Sequence, residues 1–194
     1  GHCRHIDEEE VKILSAEKNP SLRLFIDSCD IEFTDRWQGV QHIHLEGELD
    51  DYVLRRGDGM YAYNLAVVLD DIAMGITEVI RGDDLLDTTG QQIYLYKTLQ
   101  QCLHSKNIKV PSYGHAPLLI DTEGHRLSKR QKSITIRELR DNQWSANRIL
   151  GELAIAGGLV KANTLHNREI SISELIEIDL NLPSLSQKTI EIKI

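Results

Sequence analysis

Cysteine is scarce in this sequence. Its three residues, Cys3, Cys29 and Cys102, are odd in number, far apart and never arranged as CxxC. That excludes a disulfide framework and a complete local zinc knuckle, and predicts reduced thiols. Long apolar runs are missing too. Nothing approaches the roughly 18 consecutive apolar residues of a membrane span, and no secretory pattern opens the chain. The expected address is therefore the cytoplasm, with no membrane partner. Internal repeats and low-complexity tracts are also absent. Positive charge is in short supply: 22 Lys and Arg against 30 Asp and Glu give a formal net charge of -8. This argues against tight non-specific nucleic-acid binding, which needs a broad basic surface to displace counterions. The opening "GHCRHIDEEE" has no initiator methionine, and the chain is expected to be a piece of something longer.

What is present is a 194-residue chain, 41% hydrophobic and 27% charged, able to bury a real core. Against its acidic balance one stretch stands out. "GHRLSKRQK", residues 124–132, holds Arg126, Lys129, Arg130, Lys132 and His125 in nine positions. Such a run is ordinarily a solvated surface feature, so its meaning depends on what surrounds it. Residues 1–48 mix a charged helix-like stretch with short strands in "SLRLFIDS", "IEFTDRWQG" and "QHIHLEGE". "DYVLRR" then reads as a strand and "YAYNLAVVLDDIAMG" as a helix, with Leu65, Val68, Leu69 and Ile72 at helical spacing. "ITEVIRG" is another strand. "DTT" offers caps for a helix in which Ile93, Tyr96, Leu99 and Leu103 share a face. "HAPLLIDTEG" gives a strand and turn that deliver the basic run. This alternation predicts an α/β fold with a helix-covered parallel sheet. In such sheets ligands sit past strand ends, where "VIRGDD" and "EGHRLSKR" both fall. From Ser133 onward the sequence is helix-like, a small helical appendage.

The stretch "RRGDGMYAYNLAVVLDDIAMGITEVIRGDDLLDTTGQQIYLYKTL", followed by "PSYGHAPLLIDTEGHRLSKRQ", resembles the second half of the Rossmann-type catalytic domain of class I glutamyl synthetases. The basic run stands where that family has its KMSKS loop. Within the family the chain most resembles the short branch, the glutamyl-Q tRNA(Asp) synthetases: Val67 and Leu85 replace the Asn and His common in full-length glutamyl-tRNA synthetases, "GHCR" is similar to the last zinc-ligand segment of the short enzymes, and too few residues follow Lys129 for a large anticodon-binding domain. The resemblance divides the chain into 1–49, a remnant of the inserted acceptor- and zinc-binding-type region; 50–132, the second half of the nucleotide-binding domain; and 133–194, a helical stem-contact-like region. The HIGH-motif half and the C-x-C pair that would complete a zinc site are not in the sequence, "TTGQQ" replaces T-P-R-Q, and Arg130 follows Lys129 where Gln or Ser is usual.

The resemblance implies ATP-dependent activation of L-glutamate, with Mg²⁺ carried by ATP, and transfer to queuosine in the anticodon of tRNA(Asp) by a monomeric enzyme. The alternatives are a truncated glutamyl-tRNA synthetase or a non-catalytic binding fragment. It implies Lys129 as the catalytic cation of an ATP-binding loop comprising Arg126, Leu127, Ser128, Lys129 and Arg130. It makes Tyr63 and Arg81 glutamate ligands, places Asp84 at the ribose and His115 beside the adenine, and makes Cys3 a single ligand of an incomplete zinc site. Zn²⁺ then belongs to the complete enzyme and is not expected to bind this chain stoichiometrically. Read without the resemblance, Arg81 has a second role open to it, an internal salt bridge to Asp83, Asp84 or Asp87. Tyr63 reads equally as a core aromatic, Asp84 as a carboxylate at a helix start, and His115 as a structural histidine. Asp70 and Asp71 diverge on a helix and read as a solvated end, not a metal pair. His42 and His44, alternating on one strand face, read as surface polarity.

Overall fold

The computed structural model describes residues 4–47, 51–127, 135–178, 185 and 187–192. Two compact units divide the chain: Gly1–Asp35, Val40–Val79 and Leu85–Tyr113 form the first, and Arg36–Gly39, Ile80–Asp84 and Gly114–Ile194 the second.

In the first unit, α1 (Glu8–Glu17) is capped by Asp7, whose carboxylate accepts from the Glu9 and Glu10 amides, and buries none of its residues. The strand expected from "SLRLFIDS" shrinks to β1 (Leu22–Arg23), paired antiparallel with β4 (Val53–Arg55). β2 (Cys29–Asp35) and β3 (Gly39–Leu45) alternate inward and outward residues, sending Ile31 and Leu45 into the core. The helix α2 (Tyr63–Met74) buries Val68, and Leu65 and Ile72 pack beside it, as their spacing predicts. Leu69 on the same stripe stays largely exposed. The helix ends at Gly75, whose φ of 68° is the left-handed stop that glycine adopts without steric cost. A turn precedes α2: Arg56 N–H donates to Met60 O and Ala62 N–H to Leu54 O, setting Tyr63 as the first helical residue.

α3 (Thr89–Cys102) packs against α2 and β2 and buries Ile93, Leu95 and Tyr96. Its start differs from the expected cap. The Thr88 and Thr89 hydroxyls donate back to Leu85 O, at 2.9 and 3.0 Å, and Thr88 makes no side-chain cap to the helix amides. At its other end Leu103 lies exposed, because the chain turns away at His104 with φ 47°. The core is completed by Ile26, Tyr52, Ile108 and Tyr113, and Phe33 meets Tyr113 edge to face.

β5 (Glu78–Gly82) and β6 (Ser112–Ala116) run from one unit into the other, and the four-stranded sheet has the order β3-β2-β6-β5, with β2 and β6 parallel. In the second unit, β7 (Leu118–Ile120) pairs in parallel with β8 (Thr189–Glu191), a strand the sequence reading did not anticipate. The expected helices are α4 (Ile136–Asp141), α5 (Ala146–Ala156) and α6 (Ile172–Ile176). Thr135 with Glu138 and Ser171 with Glu174 form capping boxes, and Ser145 caps α5. Among the described residues no helix is long and apolar enough to cross a membrane.

Candidate active site

The end of β5 carries a polar grouping within the second unit. Arg81 is the penultimate residue of that strand, and its Nε donates to Nε2 of the fully buried His115 at 3.0 Å. His115 lies on β6, and its backbone carbonyl accepts from Gln38 Nε2 at 3.1 Å. On the other face of β6, Gly114 leaves no room for a side chain. A Cβ there would stand 2.8 Å from Ile80 Cδ1, 3.1 Å from Trp37 Cζ3 and 3.3 Å from Arg36 Cβ.

Beyond Arg81 the chain bends through Gly82 into a short turn, Asp83–Leu85. A Cβ on Gly82 would meet Asp84 Oδ1 at 2.7 Å and Leu118 Cδ2 at 3.2 Å, so a side chain at this position would displace the carboxylate. Asp84 in turn pairs with Arg126, Oδ2 to Nη2 at 2.9 Å.

Arg126 is delivered by a tight turn after β7. Asp121 Oδ1 accepts from the amides of Glu123 (2.9 Å) and His125 (2.8 Å), and Asp121 N–H donates to His125 O. Those hydrogen bonds, the His125 amide first, hold the Asp121 carboxyl below the usual range. Gly124 sits at φ 83° at the apex. Ile120 and Arg126 then face each other as an antiparallel bridge, and Leu127 N–H donates to Leu119 O. The stem of the basic run is thus built as a hairpin. Part of its charge already faces acid: Arg126 meets Asp84, and His125 Nδ1 lies 3.6 Å from Asp121 and 3.5 Å from Glu123. Ser128, Lys129, Arg130 and Lys132 lie outside the described residues, as does Cys3.

The structure therefore brings together four residues singled out from sequence, as the pairs Arg81–His115 and Asp84–Arg126. Tyr63 belongs to the first unit. It is 60% exposed at the start of α2, so it is not a core aromatic. Asp70 is exposed, and His42 and His44 face solvent on β3, paired with Glu32 at 3.2 Å and Asp30 at 2.7 Å. Cys29 and Cys102 are free thiols, and burial pushes the Cys29 thiol up. Among the described residues no three His, Cys, Asp or Glu side chains are arranged to hold a metal ion. Gln38 was missed from sequence. Its only signal was its place in the polar turn "DRWQG" between two strands.

These features sit in a recognisable frame. The family described as tRNA synthetases class I (E and Q), catalytic domain, matches residues 1–189, and the chain belongs to it. Among curated proteins it is 42% identical over 161 residues to a glutamyl-Q tRNA(Asp) synthetase of Symbiobacterium thermophilum, covering 82% of this chain and 47% of that protein. A namesake from Nitratidesulfovibrio vulgaris is likewise 42% identical over 161 residues, with 82% and 48% covered. One from Burkholderia cenocepacia is 49% identical over 117 residues, with 59% and 37% covered. The chain thus spans about half the length, or less, of the curated relatives it matches. Among solved structures, the glutamate-tRNA synthetase of Elizabethkingia anophelis superposes with a TM-score of 0.72 at 26% identity, covering 97% of this chain and 40% of that one. A glutamate tRNA ligase from Elizabethkingia meningosepticum, solved in complex with its amino acid, gives the same score and identity. The fold is that of the class I glutamyl synthetase catalytic domain, as the motifs of residues 50–133 imply.

Proposed function

We propose that the protein containing this chain activates glutamate with ATP and transfers it to queuosine in the anticodon of tRNA(Asp), this chain supplying the second half of the nucleotide-binding domain and the region after it. A carboxylate oxygen of glutamate attacks the α-phosphorus of ATP, the bond to the bridging oxygen of pyrophosphate breaks, and glutamyl-adenylate forms. A ring hydroxyl of queuosine then attacks the acyl carbon and loses its proton, while AMP departs with the electrons of the broken C–O bond.

The first step sets an anion against a polyanion, so fixed cations at the phosphates supply the main stabilisation. Lys129 is the principal one in this reading, with Arg126 or Arg130 assisting and Ser128 adding a hydroxyl. Arg81 and Tyr63 take the glutamate, and Asp84 takes the ribose of ATP. Mg²⁺ enters on ATP's own phosphates. Zinc, with Cys3 as one ligand, belongs to the full-length protein, and no step runs through it. The boundaries 1–49, 50–132 and 133–194 follow the same reading.

What carries the proposal is the contact between the two sequence signatures. Asp84 of "VIRGDD" holds Arg126 of the basic run at 2.9 Å, in a chain 42% identical to glutamyl-Q tRNA(Asp) synthetases. The likeness to glutamate-tRNA synthetases favours a second reading, glutamylation of tRNA(Glu). The full-length gene product, given ATP and labelled glutamate, should label tRNA(Asp) only when it carries queuosine. Label on the 3′-terminal adenosine of tRNA(Glu) would hand the case to the second reading. The 194-residue chain alone, without a HIGH half, is expected to be silent in glutamate-dependent ATP–pyrophosphate exchange, because half a site does not fix attacking and leaving oxygens in line.

A further inference from the structure

We propose that His115 is a positioning residue for Arg81: its neutral imidazole accepts the Arg81 Nε–H and fixes the guanidinium plane, so that the carboxylate of glutamate is met by the two terminal nitrogens alone. The proposal rests on the reading of Arg81 as the glutamate ligand.

Arginine is always charged and only donates. An Nε to Nε2 contact of 3.0 Å therefore requires a lone pair on Nε2. This imidazole then carries its single proton on Nδ1. The arrangement is over-determined by what surrounds it. His115 is fully buried on a strand, and its backbone is tied to Gln38. Its strand neighbour Gly114 is closely packed, since a Cβ there would stand 2.8 Å from Ile80 Cδ1 and 3.1 Å from Trp37 Cζ3, so the backbone that carries the imidazole has little room to shift. An imidazole held this way has little freedom to follow a wandering arginine, so the arginine follows the imidazole.

The consequence for recognition is geometric. A guanidinium meets a carboxylate bidentately in one of two ways, side-on through Nε and one terminal nitrogen, or end-on through both terminal nitrogens. With Nε engaged by His115, only the end-on mode is left for a bidentate contact. That fixes the direction from which the carboxylate arrives relative to the end of β5. A lysine would offer neither the Nε–H nor the planar edge.

The experiment uses the full-length gene product with two substitutions and one spectroscopic measurement. His115→Leu removes the acceptor. His115→Gln places an amide oxygen near the position of Nε2 and restores it. Loss of a buried acceptor facing a charged donor should raise the glutamate KM of His115→Leu by about tenfold, with kcat changing less. The Gln variant should recover to within about threefold of wild type, by the same principle that a satisfied donor costs little. Independently of activity, the ¹⁵N signals of His115 should show Nδ1 protonated and Nε2 unprotonated, a measurement that stands even if the Leu variant does not fold. A protonated Nε2 overturns the inference whatever the enzyme does. An unchanged glutamate KM in a folded His115→Leu variant of an active enzyme overturns it while leaving the proposed function intact. A wild-type protein with no glutamate-dependent activity overturns both.

Discussion

Arg126 and Asp84 form an ion pair, 2.9 Å from Nη2 to Oδ2, between the stem of the basic run and the turn that follows β5. With side-chain exposures of 52% and 34%, the pair is worth only about 0–1 kcal/mol to stability. Its interest lies in substrate binding. In the proposed reading the ribose of ATP competes for Asp84, and Arg126 is then released toward the phosphates. Asp84→Asn should therefore leave the melting temperature within about 2 °C of wild type and raise the ATP KM several-fold. An unchanged KM would return Asp84 to a purely structural role.

The strand end and the basic run should separate kinetically. Lys129→Ala should slow glutamate activation by about 100-fold or more, the scale of losing one oriented charge contact to the transition state. Glutamate affinity should change less. Arg81→Lys should mainly weaken glutamate binding, since an ammonium does not reproduce a planar two-point contact. The opposite pattern in steady-state kinetics would reverse the two assignments.

A second ion pair supports the helical region. Arg168 Nε donates to Glu152 Oε1 at 2.6 Å, and its Nη2 meets Oε2. Glu152 is nearly buried on α5, whereas Arg168 is half exposed. Removing the arginine with Arg168→Met should cost about 1–3 kcal/mol, because the carboxylate left behind has lost its charged partner. The Arg168 hydrogen bond holds the Glu152 carboxyl below its ordinary value, so the folded state binds fewer protons than the unfolded chain and stability rises with pH. The contribution is complete above the ordinary Glu range of about 4, and is lost as pH falls through the depressed folded value. Acid titration of the melting temperature should show this loss in wild type and a weaker one in Arg168→Met.

Gly151 tests the packing of the same region. A Cβ there would lie 1.9 Å from the carbonyl oxygen of Arg168 and 2.8 Å from its carbon. Both are backbone atoms, so the neighbour has no rotamer to yield. Gly151→Ala should destabilise by more than about 3 kcal/mol, despite alanine's higher helix propensity. Chemical denaturation of the two proteins would check it, and a stabilised variant would contradict the packing of α5 against residues 166–168.

Much of this was legible from local pattern. The stripe of α2 gave Val68, and that of α3 gave Ile93 and Tyr96. Leu69 and Leu103 show its limit: periodicity names a face, while the neighbours decide how much of it is covered. β8 went unseen, although "TIEIKI" alternates and both Ile190 and Ile192 are buried. Its partner β7 is remote in sequence, and a three-residue strand has no local marker. The stretch "DTT" offers caps by residue type, but the Thr88 and Thr89 hydroxyls both donate to Leu85 O instead. The site followed the same division. Arg81 and the basic run were visible as motifs. The Arg81–His115 bond was not, because it depends on the sheet order that sets β6 beside β5.

The parallel pairing of residues 118–120 with 189–191 also bears on how the chain is made. Synthesis runs from the amino end, and domains begin to fold as they leave the ribosome. Every element of the first unit is available before residue 114 has been added. β7, by contrast, cannot gain its parallel neighbour until Thr189–Glu191 has emerged. Leu118 donates to Lys188 O and Ile192 to Ile120 O, so the same late residues fasten both ends of that strand. The platform beneath the basic run is thus finished only once residues 188–192 have been made, and a nascent chain stalled before residue 188 would hold β5 and β6 without it.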